Sequence, residues 1–474
     1  MTPSFDPSEL NRIFLCQREA FQTDPAPDAA KRRDRLDRLH RMITRHAGKI
    51  AKAISADFGH RPVEETRMLE LLPLLAAIRH ARGHLARWMK PRRLPTPWPM
   101  RPARNQILRQ PLGVIGVIAP WNAPLLLSLG PAVGALAAGN RVMIKPSDQA
   151  PRFAAFLRDM VEAYFPEEEM AVLTGGVEMG RSFSALPFDH LLFSGSSATG
   201  RDVAAAAAGS LTPVTLELGG KSPAILDVSA DFPKATRRLA RGKLLNAGQT
   251  SVAPDYVLVP RGYEDHVVDL LRRAVGRLYP RIVGNPDYCT IATDSHFARL
   301  LALLEDARAK GAELIEINPG RETPDPAERR LFPTLVLGAT GDMRLMQEEI
   351  FGPILPILPY DTIEEVGASL ARCDRPQALY WFGSDAAHRD RVLAGTVSGA
   401  VAINDCVWQA GQDTVPLGGV GVSGHGAYHG EWGFCAFSKE KPVFTQARWS
   451  PLALLSPPYG PVFRTVAALI RRLG

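Results

Sequence analysis

Glu217 heads Glu-Leu-Gly-Gly-Lys-Ser-Pro, a carboxylate that closes an apolar run and precedes two glycines. The glycines let a ligand or another backbone come close, so a carboxylate there can serve as a general base. Standing alone, the motif reads as a surface glutamate near a turn. Twenty-nine residues further on, a helix stops at Asn246-Ala247-Gly248-Gln249-Thr250-Ser251, followed by Ala253-Pro254 and a strand from Asp255 to Val259. The serine hydroxyl is a nucleophile only with a strong base beside it. The five cysteines, Cys16, Cys289, Cys373, Cys406 and Cys435, form no C-x-x-C pair, so neither a disulfide framework nor a metal site is indicated. Gly195 to Gly200 has the spacing of a Walker loop but continues Arg201-Asp202 instead of Lys-Ser, which argues against ATP binding.

Glu-Leu-Gly-Gly-Lys-Ser-Pro followed by Gly-Gln-Thr-x-x-Ala-Pro-Asp-Tyr resembles the aldehyde dehydrogenase superfamily, and within it the branch of dimeric enzymes acting on aromatic and fatty aldehydes. It looks most like the bacterial coniferyl aldehyde dehydrogenases. Further matches are Ala119-Pro120-Trp121-Asn122, Lys145-Pro146-Ser147, Phe193-Ser194-Gly195-Ser196, Glu349-Ile350-Phe351-Gly352-Pro353 and Gly418-Gly419-Val420-Gly421 through Tyr428-His429-Gly430, so the resemblance covers about residues 30 to 445.

The resemblance implies a role for each position. Asn122 would donate its side-chain amide to the oxyanion formed on a substrate carbonyl, together with the backbone N–H of residue 251. Lys145 would bond the adenosine ribose. Gly195 and Ser196, with Gly200 in the same turn, would open a helix whose N-terminus faces a pyrophosphate. Glu349 would hold the nicotinamide ribose and Phe351 would pack near the nicotinamide. Asp148 stands where the family has a glutamate that reaches the ribose hydroxyls, which leaves NAD or NADP open as the cofactor. Leu417 replaces the usual Phe near the substrate mouth. A homodimer is implied as well.

In that chemistry a thiolate at position 251 adds to the aldehyde, and water activated by Glu217 releases the acid. Here the residue is Ser251. A thiol with pKa about 8.5 is a few per cent ionised at pH 7, whereas a hydroxyl with a pKa near 15.7 is ionised roughly nine powers of ten below unity. With a reference pKa near 4.3, Glu217 is a poor match for an alcohol. The expectation is cofactor binding with very low turnover. Two alternatives stand beside it: a natural non-catalytic NAD(P)-binding relative, and a weak serine esterase with His425 or His429 as base.

These residues need a framework. From Ala29 to Phe58, Leu36, Leu39, Ile43, Ile50 and Ile54 recur at helical steps, and Val63 to Lys90 repeats the pattern with Met68, Leu71, Leu72, Leu75 and Ile78. Two long helices are thus expected to precede everything else. Short apolar runs at Gly113 to Ala119, Arg141 to Lys145, Ala171 to Leu173, His190 to Phe193 and Thr212 to Leu218 alternate with helix-like stretches such as Ser197 to Ala208. Alternation of this kind implies parallel sheets. The expected fold is α/β: a Rossmann-like parallel-sheet cofactor domain over residues 1–90 and 112–216, an α/β catalytic domain over 217–416, and a small oligomerisation arm over 91–111 and 417–450.

A composition of 46% hydrophobic and 22% charged residues excludes global disorder. The excess of 56 basic over 49 acidic residues is spread thinly, so no nucleic-acid partner is expected. Lys31 to Arg41 interleaves Asp34 and Asp37 with Leu36 and Leu39, the pattern of a solvated helix face. Met1 to Ala20 has no apolar core of signal-peptide length, and Pro124 to Gly139 is too short and broken to span a bilayer. A cytoplasmic protein is expected. Residues 451–474 end in a basic amphipathic helix with Phe463, Val466, Leu469 and Ile470 beside Arg464, Arg471 and Arg472, which suits peripheral contact with an anionic membrane face or packing on a dimer.

Overall fold

The computed structural model describes residues 7–372 and 374–473. Met1 to Asp6 and Cys373 of the sequence reading lie outside the described residues.

The expectation that two long helices come first is corrected at once by a helix over Pro7–Thr23. Its Leu10, Ile13 and Phe14 are buried and share a core with Phe183, Phe188 and Leu191. Their spacing is helical, but so few apolar positions make a weak stripe. The helix Ala29–Phe58 follows, opened by Asp28, whose carboxylate accepts from Lys31 N, and closed by Gly59 at φ 87°. The next helical run is not regular: Val63–Thr66 and Leu72–Trp88 are joined by a π turn over Arg67–Leu71, in which Leu72 N–H donates to Arg67 O, five residues back. The wide turn changes the stripe. Leu71, Leu74, Ile78, Ala81 and Leu85 are buried, while Leu72, expected on that face, is 60% exposed.

Sixteen strands follow along the described chain: Arg92–Leu94 (β1), Arg104–Pro111 (β2), Val114–Ile118 (β3), Arg141–Lys145 (β4), Met170–Val172 (β5), His190–Gly195 (β6), Val214–Leu218 (β7), Pro223–Leu226 (β8), Tyr256–Pro260 (β9), Glu313–Glu316 (β10), Thr334–Leu337 (β11), Ile354–Tyr360 (β12), Ala378–Phe382 (β13), Ala400–Ile403 (β14), Gly424–His425 (β15) and Ser438–Thr445 (β16). They form three sheets. The first has the order β15-β7-β6-β3-β4-β5, the second β10-β11-β12-β9-β8-β13-β14, and the third, β1-β2-β16, is an antiparallel arm. All pairs of the first sheet are parallel except β15 with β7, and all pairs of the second except β10 with β11.

Parallel strands need helical crossovers that cover both faces, and β3, β4, β8, β9 and β13 are accordingly buried along their whole length. In the first sheet the chain moves outward from β3 to β4 and β5, then returns to the other side of β3 as β6 and β7. The direction of winding therefore reverses between β3 and β6, and a crevice opens beyond their carboxyl ends, the place where open α/β sheets bind ligands.

Candidate functional site

Beyond that crevice lies a cleft of about 950 Å³ shared by the two large sheets. The segments after β3 (Pro120 to Asn122), β6 (Gly195 to Ser197) and β7 (Gly219 to Lys221) line one side, and Thr250 to Val252, His296, Glu349 and Phe351 line the other. Seven of the ten candidate residues therefore meet in one space: Asn122, Gly195, Ser196, Glu217, Ser251, Glu349 and Phe351. Lys145, Asp148 and Gly200 do not line it. Lys145 ends β4 beside Ile118, buried, with its amine pushed down by desolvation and pulled partly back by Asp148. Asp148 is exposed. Gly200 is buried against β7, where an added Cβ would come within 2.7 Å of Leu218, so its place is in helix-to-strand packing.

Ser251 follows an unusual turn. After the helix Phe232–Leu244, Asn246, Ala247 and Gly248 take φ of 54°, 51° and 77°, three successive left-handed residues. Only glycine fits at 248, where a Cβ would lie 2.4 Å from the Gly352 carbonyl oxygen. Hydrogen bonds from Asn246 and Gln249 brace the turn on either side of Ala247. Asn246 N–H donates to Glu65 Oε1 (3.1 Å), and Asn246 Nδ2 donates to the carbonyls of Asn122 and Gln249 (both 3.1 Å). Gln249 Nε2 donates to Asn246 O (2.8 Å) and Thr290 O (3.0 Å), while its Oε1 accepts from Ala292 N (2.9 Å). Asn122 Nδ2 donates to Gln249 O at 3.2 Å, which leaves its second amide hydrogen for a ligand. Ser251 is half-buried, and its Oγ makes no hydrogen bond to Glu217 or to any other described residue.

Glu217 is buried, with Oε2 accepting from Gln377 Nε2 at 3.0 Å and Oε1 without a described partner. Desolvation pushes its pKa up to about 8, against a partial lowering by the Gln377 bond. The expectation of an ordinary carboxylate is corrected: at neutral pH this group is mostly protonated, and the carboxylate becomes the major form only as pH rises past about 8. Gln377 precedes β13, far along the chain, and no local pattern marks it as a partner.

Glu349 lies against the turn after β7, where a Cβ on Gly219 would collide with its carboxylate, and it accepts from Gly220 N–H. Desolvation and then the neighbouring Asp255 push it up to about 8. Asp255 pairs with Lys221 and accepts from Ile350 N at 2.9 Å, which ties the Glu349 segment to the second sheet. Phe351, at φ 55°, meets Trp121 edge-on at 5.6 Å, and its carbonyl lies 2.8 Å from His296 Nε2. Sequence reasoning did not single out Lys221, Asp255, His296 or Trp121 as parts of the site.

At the far end, Ser196 caps the helix Ser197–Ala208 by accepting from Thr199 N, and Ser196, Ser197, Ala198 and Arg201 face the cleft. Free amides at a twelve-residue helix start, with a guanidinium beside them, fit the pyrophosphate of a dinucleotide. Of the alternative bases, His429 lines the cleft, half-buried, its pKa pushed down to about 4 by desolvation, with Nδ1 4.0 Å from Asp413. His425 lies exposed on β15, outside the cleft lining.

Infrared difference spectra across pH should show a protonated-carboxyl C=O band at pH 6 that fades as pH rises through about 8, partly missing in Glu217→Gln. A Glu217 band already lost by pH 5 would contradict the buried, poorly solvated carboxyl described above.

Residues 2–443 match the aldehyde dehydrogenase family. The chain is 46% identical over 466 residues to a probable coniferyl aldehyde dehydrogenase of Pseudomonas aeruginosa, covering 98% of this chain and 96% of that protein. A second protein of that name, from Caulobacter vibrioides, is 45% identical, covering 97% of this chain and 96% of the relative. Among solved structures, the substrate-bound state of Staphylococcus aureus AldH superposes with a TM-score of 0.92 at 35% identity, covering 97% of this chain and 99% of that one. The Mycobacterium tuberculosis aldehyde dehydrogenase complexed with NAD+ gives 0.85 at 26% identity, covering 94% and 92%. The motifs, the sheet order and these matches agree: the chain belongs to the aldehyde dehydrogenase family.

Proposed function

We propose that this chain is an aldehyde dehydrogenase scaffold that binds NAD or NADP and a hydrophobic, aromatic aldehyde of the coniferyl type, with oxidation to the acid held back by Ser251. The observation that carries the reading is that Asn122, Glu217 and Ser251 line the same cleft as the helix start at Ser196. When bound, the nicotinamide supplies a hydride acceptor. Met68, Leu69, Leu126, Leu127, Trp408 and Leu417 give the cleft apolar walls suited to an aromatic body, and the named coniferyl aldehyde relatives support that choice.

The chain's own residues set the limit. Asn122 presents an amide hydrogen to a carbonyl oxygen, and Glu217, once deprotonated, can take a proton from water. What is missing is a nucleophile that is ionised to a useful extent. Even with Glu217 at about 8, an alcohol near 15.7 stands roughly eight powers of ten away from giving up its proton, and no hydrogen bond joins the two groups. The desolvation that raises the Glu217 carboxyl also opposes an alkoxide taken out of water beside it.

The direct comparison is NAD(P)H formation by the chain and by Ser251→Cys with benzaldehyde-type and fatty aldehydes. The cysteine form should turn over about a thousandfold faster or more, with cofactor affinity alike in both. Equal and substantial rates would remove the proposed role of Ser251. Cofactor binding with no turnover in either form would favour a non-catalytic binding protein.

A homodimer accords with β14, the outer strand of the second sheet, whose Val401 and Ile403 are 36% and 42% exposed. The helix Pro461–Leu473, with Val462 and Leu469 exposed beside Arg464, Arg471 and Arg472, supports a peripheral contact with anionic lipid. No described helix is long and apolar enough to cross a membrane. Light scattering should give twice the 51.7 kDa chain mass and flotation should require phosphatidylserine; a monomer, or no flotation, would end the respective reading.

A further inference from the structure

The π turn at Arg67–Leu71 has a consequence for the site. In a regular α-helix, residues five apart point about 140° away from each other. Glu65 stands just before the widened turn and Glu70 within it, yet both are buried and both serve the junction between Asn122 and the turn before Ser251. Glu65 accepts from Asn246 N. Glu70 accepts from Arg61 through one oxygen and from Leu125 N (2.7 Å) and Leu126 N (3.2 Å) through the other. Leu125 and Leu126 stand in the first turn of the helix Pro124–Ala138, immediately after Asn122. Arg61 closes the ring by donating to Asn122 O at 3.4 Å, an oxygen that also accepts from Asn246.

We infer that Arg61, Glu65 and Glu70 are positioning residues for carbonyl addition: the π turn lets both glutamates reach the same junction, and Arg61, from the loop before the helical run, pairs with Glu70 there to fix Asn122 against the loop that carries residue 251. The inference rests on the aldehyde dehydrogenase reading of the cleft. Its physical content is that the Asn122 amide is set from behind: its backbone carbonyl is held by Arg61 and Asn246, and the helix start that follows is clamped by Glu70. A small displacement there moves the amide away from the position of a developing oxyanion, where misplacement by about 1 Å can cost about 100-fold in rate.

A pure charge deletion would leave a buried group unpaired and confound the result, so the pair is replaced together. Arg61→Met with Glu70→Leu exchanges a buried ion pair for apolar groups of similar volume, a change that is often neutral or stabilising. In the Ser251→Cys background the swap should keep the cofactor affinity, lower kcat about 100-fold, and leave KM for the aldehyde within about threefold, with a lower melting temperature because the Leu125 and Leu126 N–H groups lose their acceptor. In a crystal structure of the swapped full-length chain, Asn122 Nδ2 should no longer sit at 3.2 Å from Gln249 O. Unchanged kcat in a folded swap, or an unmoved Asn122, overturns the inference. If the swap does not fold, Glu70→Gln takes its place: an amide cannot accept from both Arg61 and the two backbone N–H groups, so the same kcat loss with steady KM is expected, and its absence overturns the inference. If Ser251→Cys does not oxidise aldehydes at all, the functional reading fails, and the position of Asn122 in the crystal structure still decides the positioning claim.

Discussion

Three successive residues in the left-handed region, Asn246, Ala247 and Gly248, are the constraint on which this site depends. Two of them carry a Cβ, and each such residue costs roughly 1 to 2 kcal/mol in that conformation. The turn persists because the surrounding fold supplies it with partners: a carboxylate from the second helical run, a carbonyl after β3, and the Thr290 and Ala292 backbone beyond Cys289. These hydrogen bonds are made in a buried setting, where leaving a polar group unpaired costs about as much as the strain itself. The turn is what aims residue 251 into the cleft and sets the Gln249 carbonyl against Asn122.

Four titratable groups along the cleft shift in the same sense. Burial pushes Glu217 and Glu349 up to about 8 and pulls His296 and His429 down to about 4. Each shift favours the neutral form. The same environment is unkind to an alkoxide. A thiol is ionised within a few pH units of neutrality, whereas an alcohol is not, and on that difference the proposed role of position 251 rests. Among the described residues no cysteine lines the cleft, and Cys289 lies buried beneath the turn at 3.4 Å from Asn246 Oδ1.

Much of the framework was legible because local rules set it. The helices Ala29–Phe58 and Ser197–Ala208 start at side chains that cap them, Asp28 and Ser196, and the strands announce themselves as short apolar runs between glycine and proline. The helix Pro7–Thr23 was not read, for its apolar stripe is thin and gains its stability only from the sheet it covers. The π turn was invisible too. An inserted half-step leaves no residue signature, and Leu72 gave the wrong impression by being leucine. In the site, seven of the named residues sit in compact motifs and line the cleft, but Lys145, Asp148 and Gly200 do not line it, and Trp121, Lys221 and His296, which do, were not singled out. Gln377, the donor to Glu217, and the Arg61–Glu70 clamp on Asn122 depend on contacts between distant segments, which only the folded chain brings together.

The central claim is that an un-ionised alcohol at position 251 does not capture an electrophilic carbonyl in this cleft. Mass spectrometry of the chain after incubation with an activated aryl ester at pH 9, where Glu217 is deprotonated, tests it most directly. The Ser251 peptide should gain no acyl group under conditions that acylate Ser251→Cys. An acyl adduct on Ser251 of the unaltered chain would contradict the account and mark the protein as a serine acyl-transfer enzyme on a dehydrogenase fold.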